Sequence, residues 1–253
     1  MKVLFWAGVS LAWTLAVPGF AAQQSAFFDA KGVTIHYLVE GSGEPVILIH
    51  GLYSSATINW KAPGTMAALA DRHQVIALDL PGHGRSDKPD REDAYGAQMA
   101  DDVILLMDHL KIPKAHIVGY SLGGMVALKL IADHPDRVIS GLLGGMGWLR
   151  EGSGLQKVWE NLGFKRAGGT PPVCAESAAK LALTRGQVES IQTPMEILVG
   201  DHDPVKALYV TPLQAVRKDW RVIEIPDAGH IDCITKPDFI DGISAWVNRN
   251  SKP

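Results

Sequence analysis

A serine set between glycines, in the segment 119–124, is the strongest chemical signal in the sequence. This Gly-Tyr-Ser-Leu-Gly-Gly segment follows the apolar run 116–118 and opens an apolar helical pattern at Leu122. A serine on such a strand-to-helix turn has a strained backbone, and glycines on either side make room for it. The turn would lift Ser121 above the sheet edge and direct the N–H of Leu122 at an oxyanion formed there. Ser121 is therefore the predicted nucleophile.

A serine hydroxyl needs a base to take its proton, and the base needs a carboxylate that orients it. We predict His230 as the base and Asp203 as the acid, because each follows a later apolar run of the chain. Asp201 stays open as an alternative acid, although its position favours hydrogen bonds to the turn backbone. The chain order serine, aspartate, histidine agrees with the architecture in which this serine turn occurs.

The loop after the apolar run 45–49 is expected to supply a second oxyanion donor. Gly51 lets the backbone of this loop bend in close, and the N–H of Leu52 is the predicted donor. His50 is expected to brace the loop, and its use as the base instead of His230 remains an alternative.

Apolar runs that alternate with helical patterns must position these groups. The pattern at 33–39 alternates like a half-buried strand, and solid apolar runs are typical of strands buried on both faces of a parallel sheet. The tight turn 40–43 favours antiparallel pairing of the first two strands. Together the segments predict an α/β fold with a doubly wound, mostly parallel sheet. The solid runs are 45–49, 74–80, 116–118, 138–143 and 195–199; helical patterns cover 100–110, 122–132 and 237–248.

The segment of about 146–192 lacks strand patterns and is rich in glycine and proline. An insertion between two core strands is where a cap over a site would lie, and a helix is expected at 175–183, followed by a second helical piece at 185–191. The cap is short, which predicts an open pocket. Tyr120 and several cap side chains are candidates for its apolar lining, although packing of the cap on the sheet would explain the latter equally well. These cap residues are Trp148, Leu149, Trp159, Leu162 and Phe164.

The first residues resemble a secretory signal peptide. A lysine at position 2 precedes an apolar run of about 15 residues, shorter than the roughly 20 that span a membrane. Residues 1–21 are the predicted signal, with cleavage after Ala21 or Ala22, and 22–253 the mature domain. An uncleaved anchor is the alternative. Export to the periplasm or the medium would place Cys174 and Cys233 in an oxidising compartment, where they could form a disulfide or remain two buried thiols.

The amino-acid composition excludes some classes of protein. The chain has 253 residues, 47% of them hydrophobic and 20% charged, with a formal net charge of −3. These values exclude a disordered chain, and clustered basic residues for nucleic-acid binding are missing. The predicted chemistry requires no cofactor, and histidine spacing typical of a metal site is not found. The predicted partner is a small ester-like substrate, and the sequence indicates no particular oligomeric state.

The predicted elements resemble the α/β-hydrolase superfamily over roughly residues 27–250. The segment 79–87, Asp-Leu-Pro-Gly-His-Gly-Arg-Ser-Asp, resembles a structural loop of its epoxide-hydrolase-like and haloperoxidase-like branches, which implies a bracing role for His83. The acid position in this family supports Asp203. Branches with an aspartate nucleophile are disfavoured by Ser121. The resemblance implies a serine hydrolase, with a carboxylic ester as the expected substrate; a perhydrolase, a C–C bond hydrolase and a non-catalytic ligand-binding protein remain alternatives.

Overall fold

The computed structural model describes residues 24–161, 163 and 165–252. It contains one sheet of eight strands in the order β1-β2-β4-β3-β5-β6-β7-β8. Strands β3 to β8 are parallel to one another, and β1 and β2 are antiparallel to their neighbours. The predicted α/β fold with a mostly parallel sheet is thereby confirmed. The strands are β1 (Gln24–Asp29), β2 (Thr34–Glu40), β3 (Glu44–Ile49), β4 (His73–Leu78), β5 (Ala115–Tyr120), β6 (Val138–Gly144), β7 (Met195–Gly200) and β8 (Arg221–Ile225).

Helices flank both faces of this sheet. They are α1 (Thr65–Ala70), α2 (Gln98–His109), α3 (Leu122–Asp133), α4 (Gly154–Asn161), α5 (Pro172–Glu176), α6 (Arg185–Ser190), α7 (Thr211–Val216) and α8 (Pro237–Asn250). Short helical turns of other types cover Thr57–Lys61, Glu92–Ala94, Pro135–Arg137, Ser177–Leu181, Lys206–Val210 and Cys233–Thr235. Within the described ranges, none of the helices is both long and apolar enough to cross a membrane.

The central strands are apolar on both sides because helices cover both faces of the sheet. In β3, Ile47 and Ile49 belong to one hydrophobic cluster, while Val46 and Leu48 belong to the other. All four side chains are fully buried. This burial is the reason that the strand appears in the sequence as a solid apolar run rather than an alternating one.

One predicted strand pairing at the start of the sheet is wrong, and one strand there has no counterpart in the sequence prediction. The strands on either side of the turn 40–43 do not pair with each other, because β3 lies between β4 and β5 and pairs in parallel with both. Strand β2 instead pairs with β1 and β4. Strand β1 was not predicted. It is an edge strand in which only Phe28 is buried, so its apolar pattern is weak.

The insertion between β6 and β7 is helical in its described part. Helices α5 and α6 and the turn Ser177–Leu181 agree with the predicted helical segments, and α4 is an additional helix. The insertion is held to the loop after β4, because the hydroxyl of Thr170 donates a hydrogen bond to the carbonyl oxygen of Gly82 over 2.7 Å. The predictions for Leu162 and Phe164 lie outside the described residues. So do the predicted signal segment 1–21 and both cleavage positions.

Candidate active site

Ser121 lies on a sharp turn between β5 and α3. Its backbone angles are φ 53° and ψ −119°, a conformation that a residue with a side chain adopts only at an energetic cost. The two flanking glycines are sterically required. A Cβ atom at Gly119 would lie 2.1 Å from the carbonyl oxygen of Gly123, and one at Gly123 would lie 2.1 Å from that of Ile49. The structure therefore places Ser121 as the sequence predicts, at the carboxyl edge of the sheet.

Close packing at this turn makes Gly123→Ala destabilising. A methyl group there would overlap a backbone carbonyl of β3, which cannot move without shifting the sheet, so we expect a loss of at least about 3 kcal/mol in unfolding free energy. Gly186→Ala is the matched control, because that position in α6 has no heavy atom within 4 Å of the added Cβ. We expect it to gain up to about 1 kcal/mol. Urea unfolding measures both, and equal effects of the two substitutions would contradict the argument.

His230 and Asp203 complete a continuous hydrogen-bond chain with Ser121. Nε2 of His230 lies 2.8 Å from Oγ of Ser121, and Nδ1 lies 2.8 Å from Oδ2 of Asp203. Asp203 is buried, and its other carboxylate oxygen accepts the N–H of Val205 over 2.9 Å. A carboxylate only accepts hydrogen bonds, so Nδ1 carries the proton and Nε2 presents its lone pair to the serine hydroxyl. The structure thus brings together the three side chains predicted as nucleophile, base and acid.

Asp201, the alternative acid, has a different set of partners. Its carboxylate accepts the backbone N–H groups of Asp227 and Ala228 over 3.2 and 3.1 Å. These hydrogen bonds, that of Ala228 first, hold the pKa of Asp201 below its ordinary value. The side chain therefore joins the loop after β7 to the loop after β8, while Asp203 alone of the two contacts His230.

Two backbone N–H groups near Ser121 are candidates for an oxyanion site. Leu122 is the first residue of α3, and Leu52 lies in the loop after β3. In the described part of the chain, neither N–H has a hydrogen-bond acceptor. The second loop passes close to the serine, since a Cβ at Gly51 would lie 3.1 Å from the Cβ of Ser121. This arrangement fits the predicted donors, both of which are free to bind a developing negative charge.

His50 is a loop brace in the structure. Its Nδ1–H donates to the carbonyl oxygen of Gly51 over 2.7 Å, and its Nε2 accepts the N–H of Leu80 over 3.0 Å. Burial lowers the pKa of His50. Because both ring nitrogens are engaged, His50 cannot accept the serine proton, and the alternative in which it is the base is wrong. His83 packs edge-on against it, with ring centroids 5.0 Å apart, and burial lowers the pKa of His83 to about 3.

Tyr120 supports the histidine loop and does not line a pocket. Its hydroxyl donates a hydrogen bond to the backbone carbonyl of His230, and its ring stacks on the imidazole with centroids 5.5 Å apart. The side chain is only 4% exposed, and burial raises the pKa of its hydroxyl. The prediction that Tyr120 contacts substrate is therefore wrong.

Removal of the Tyr120 hydroxyl tests whether this side chain holds His230 in place. We expect Tyr120→Phe to lower kcat about fivefold at unchanged KM, since one hydrogen bond of about 1 kcal/mol no longer holds the base in place. Tyr95→Phe is the matched control, because the buried Tyr95 donates to the carbonyl oxygen of Pro89 over 2.7 Å and not to the His230 loop. Both variants should lose similar thermal stability, but only the first should lose kcat. Equal kcat values in the two variants would contradict a positioning role.

The predicted cap tryptophans differ in their surroundings. Trp148 is buried and donates from Nε1 to the carbonyl oxygen of Leu183 over 2.8 Å, so it packs the insertion and is not an exposed pocket wall. Trp159 on α4 is half-buried and donates to the hydroxyl of Tyr209 over 3.0 Å. The Trp148 contact joins two parts of the insertion, and the Trp159 contact joins the insertion to the segment after β7. For Trp148 the packing alternative is correct.

Two exposed apolar residues beside the site were missed. Tyr53, 42% exposed, directly follows Leu52, and Ile231, 86% exposed, directly follows His230. Their positions next to the predicted oxyanion donor and base are the sequence signal that could have identified them. Large apolar side chains that are exposed to solvent beside a candidate active site are candidates for contact with an apolar substrate group.

The two cysteines are free and buried, so of the two alternatives the structure shows two buried thiols and not a disulfide. Cys174 belongs to the hydrophobic cluster on one face of the sheet, and Cys233 belongs to the cluster on the other face. The sheet itself separates them. Burial raises the pKa of each thiol to about 12, which keeps both protonated and unreactive at neutral pH.

One group of side chains in the described residues could approach a metal ion. Asp201, His202 and Asp227 bring ligand atoms within 4.8 Å of one another on the surface. The carboxylate of Asp201 is already engaged with backbone N–H groups, and the cluster is separate from Ser121.

The sheet order, the strained serine turn and the three hydrogen-bonded side chains define a class of fold, and comparison with known proteins agrees. A family model described as alpha/beta hydrolase fold matches residues 44–170, half of the chain. The chain belongs to the α/β-hydrolase family.

Similar proteins span several activities. A meta-cleavage product hydrolase from Pseudomonas fluorescens superposes with a TM-score of 0.73 and 25% identity, covering 89% of this chain and 98% of that one. The dihydrolipoyllysine-residue acetyltransferase component of the acetoin cleaving system from Cupriavidus necator is 43% identical over 47% of this chain and 31% of its own length. Its counterpart from Pseudomonas putida is 30% identical over 75% and 59%. The chain thus spans about a third to three fifths of these curated relatives.

Proposed function

We propose that the protein is a serine hydrolase that cleaves a carboxylic ester through an acyl-enzyme on Ser121. The observation that carries this proposal is the unbroken hydrogen-bond chain from Ser121 through His230 to Asp203. A ligand-binding protein without catalysis has no need for a strained serine hydrogen-bonded to an oriented imidazole.

The reaction follows from the position of each group. Oγ of Ser121 forms a bond to the ester carbonyl carbon while its proton moves to Nε2 of His230, and Asp203 stabilises the imidazolium. The carbonyl oxygen becomes an oxyanion held by the N–H groups of Leu52 and Leu122, each worth roughly 3 kcal/mol of barrier. When the tetrahedral intermediate collapses, the C–O bond to the alcohol breaks and the alkoxide takes the proton from His230. Water then repeats the sequence on the acyl-enzyme and releases the acid.

The exposed apolar side chains favour a small, partly apolar ester. Tyr53 and Ile231 flank the proposed oxyanion donor and base, so an alkyl or aryl substituent of the substrate would cover surface that is now in water. The proposed chemistry uses only side chains and backbone groups of this chain.

A C–C bond hydrolase is the second candidate. The similarity to a meta-cleavage product hydrolase, at 25% identity over 89% of the chain, supports it. The same three side chains could serve both reactions, because each requires proton transfer at His230 and an oxyanion site.

Export is a further part of the proposal. It depends on the signal-like pattern of residues 1–21, and secretion of a shortened chain that begins at residue 22 or 23 would support it. A chain retained at full length in the cell would contradict export and leave the hydrolase proposal untouched.

Active-site labelling tests the proposed function. A fluorophosphonate probe should react with the folded protein, and peptide mass spectrometry should find the adduct on Ser121, whereas heat-unfolded protein should lack it. A panel of p-nitrophenyl esters of increasing chain length then measures how long an acyl chain the site accepts. Hydrolysis of a meta-cleavage product in preference to every ester would favour the second candidate, and peracid formation with added peroxide would indicate a perhydrolase. A Ser121 that stays unlabelled contradicts the hydrolase proposal.

A further inference from the structure

A second serine in this protein has the same hydrogen-bond pattern as Ser121. Oγ of Ser25 lies 2.9 Å from Nε2 of His36, and Nδ1 of His36 lies 2.8 Å from Oδ2 of Asp79. Ser25 is on the edge strand β1, His36 is on β2, and Asp79 directly follows β4. Four strand spacings separate β1 from β5, which ends next to Ser121, so the two serines are roughly 20 Å apart. This cluster is separate from the candidate active site.

Arg85 determines where the protons of the cluster lie. Its Nη1 is 2.8 Å from Oγ of Ser25 and 3.2 Å from Nε2 of His36. A guanidinium only donates hydrogen bonds, so both of these atoms act as acceptors toward it. The proton of His36 is therefore on Nδ1, where it is donated to Asp79. The single lone pair of Nε2 is then shared by two donors, and the Ser25 hydroxyl, at 2.9 Å, is nearer to it than the guanidinium, at 3.2 Å.

The imidazole and the carboxylate are held rigidly, whereas the serine is open to solvent. His36 and Asp79 are each 2% exposed. The Asp79 carboxylate also accepts the backbone N–H groups of Ala56 and Arg85, over 2.8 and 2.9 Å. Ser25 and Arg85 are exposed. An electrophile can therefore reach the hydroxyl, while the groups that would activate it stay fixed behind it.

The cluster also provides an anion-binding group and an apolar wall. The Arg85 guanidinium, already 2.8 Å from the serine oxygen, would bind the negative oxygen that forms when the serine attacks, in place of backbone N–H groups. Phe27, 44% exposed, packs against this guanidinium at 4.9 Å and against the His36 ring at 5.0 Å. An electrophile with an anionic or strongly polar oxygen and an apolar substituent fits these surroundings.

We propose that Ser25 is a second histidine-activated nucleophile, which reacts with activated phosphonyl or acyl groups at a site independent of Ser121. With a fluorophosphonate, the Ser25 oxygen forms a bond to phosphorus, the phosphorus–fluorine bond breaks and fluoride leaves. The hydroxyl proton passes to Nε2 of His36, and the phosphonyl oxygen is bound by Arg85.

The experiment uses the full chain carrying Ser121→Ala, so that the candidate active site cannot react. The protein is incubated with a fluorophosphonate probe and its peptides are mapped by mass spectrometry. We expect an adduct on Ser25, formed at least tenfold faster than on the exposed Ser190, whose hydroxyl donates only to the backbone carbonyl of Gln187. A protein without an adduct at Ser25, or one labelled equally at both serines, would overturn the proposal.

Two variants in the Ser121→Ala background separate activation from simple exposure. Ser25→Ala should remove the adduct, and as an exposed substitution on an edge strand it should leave the thermal unfolding midpoint almost unchanged. Arg85→Gln should slow labelling at Ser25 at least tenfold, because the anion-binding charge is lost. Equal labelling with and without Arg85 would show that the serine is merely exposed. Because wild-type labelling at Ser121 is mapped separately, failure here is distinguishable from failure of the proposed function.

Discussion

Ser121→Ala is expected to lower kcat/KM for a p-nitrophenyl ester by about 10⁴-fold or more, because no other group can form the acyl-enzyme at this site. The fold should be retained. Alanine keeps the Cβ atom that serine already has, so the positive φ of 53° costs the variant no more than the native protein. The N–H groups of Leu52 and Leu122 also remain, and they should leave a small residual rate above that in water.

The control for this prediction is Ser190→Ala, an exposed serine on α6 that makes no contact with a histidine. It should keep full activity. A Ser121→Ala protein with more than a tenth of native activity, at an unchanged unfolding midpoint, would show that the measured hydrolysis occurs elsewhere. The Ser25 cluster would then be the first place to look, and the double variant would decide.

The serine turn was predictable because its constraints are local. Three constraints determine the residue types within 119–124. Ser121 has a positive φ, a Cβ added at Gly119 or Gly123 would lie 2.1 Å from a carbonyl oxygen, and a helix starts directly after the serine. The positions of Asp203 and His230 were predictable for a related reason. In a parallel sheet the loops that follow successive strands meet at one edge, so the order of strands in the sequence already brings Asp203 and His230 toward Ser121.

The features that were missed depend on contacts between distant parts of the chain. Whether Tyr120 faces a pocket or the underside of His230 is decided by how the loop after β8 packs, which no local pattern records. The sequence left a disulfide and two free thiols open for the same reason: Cys174 and Cys233 lie on opposite faces of a sheet whose strand order is not the chain order. The sequence does not distinguish cap aromatic side chains that line a cavity from those that fill the cap interior, as Trp148 does.

The residues of the Ser25 cluster form no sequence motif that could predict it. Its serine, histidine and aspartate come from β1, β2 and the residue after β4, and only antiparallel pairing at the sheet edge brings them together. The segment 79–87 was interpreted as structural on the resemblance alone. The structure agrees that Asp79 braces the loop, and it adds that the same carboxylate orients a histidine toward a surface hydroxyl.

The choice between the two aspartates gives the other large prediction: Asp203→Asn should lower kcat by about 10⁴-fold. The N–H of Val205 donates to Oδ1 of Asp203, so a carboxamide would keep its oxygen there and turn its NH₂ group toward His230. Nδ1 of His230 would then have to accept a hydrogen bond, which moves the ring proton to Nε2. In that tautomer the imidazole cannot take the proton of Ser121, although every heavy atom stays near its native position.

Asp201→Asn is the matched control, two residues away in the same loop. Its carboxylate accepts hydrogen bonds from the backbone of the loop after β8 and lies 3.8 Å from Nε2 of His202, rather than against His230, so we expect a modest loss of thermal stability and a kcat within about threefold of native. Steady-state kinetics and thermal unfolding on the two variants measure the contrast. If Asp201→Asn lost more kcat than Asp203→Asn, the orienting role would belong to Asp201. If neither lost kcat, the imidazole would not need a carboxylate to hold its tautomer, and the proton relay that connects the three side chains would not be the mechanism.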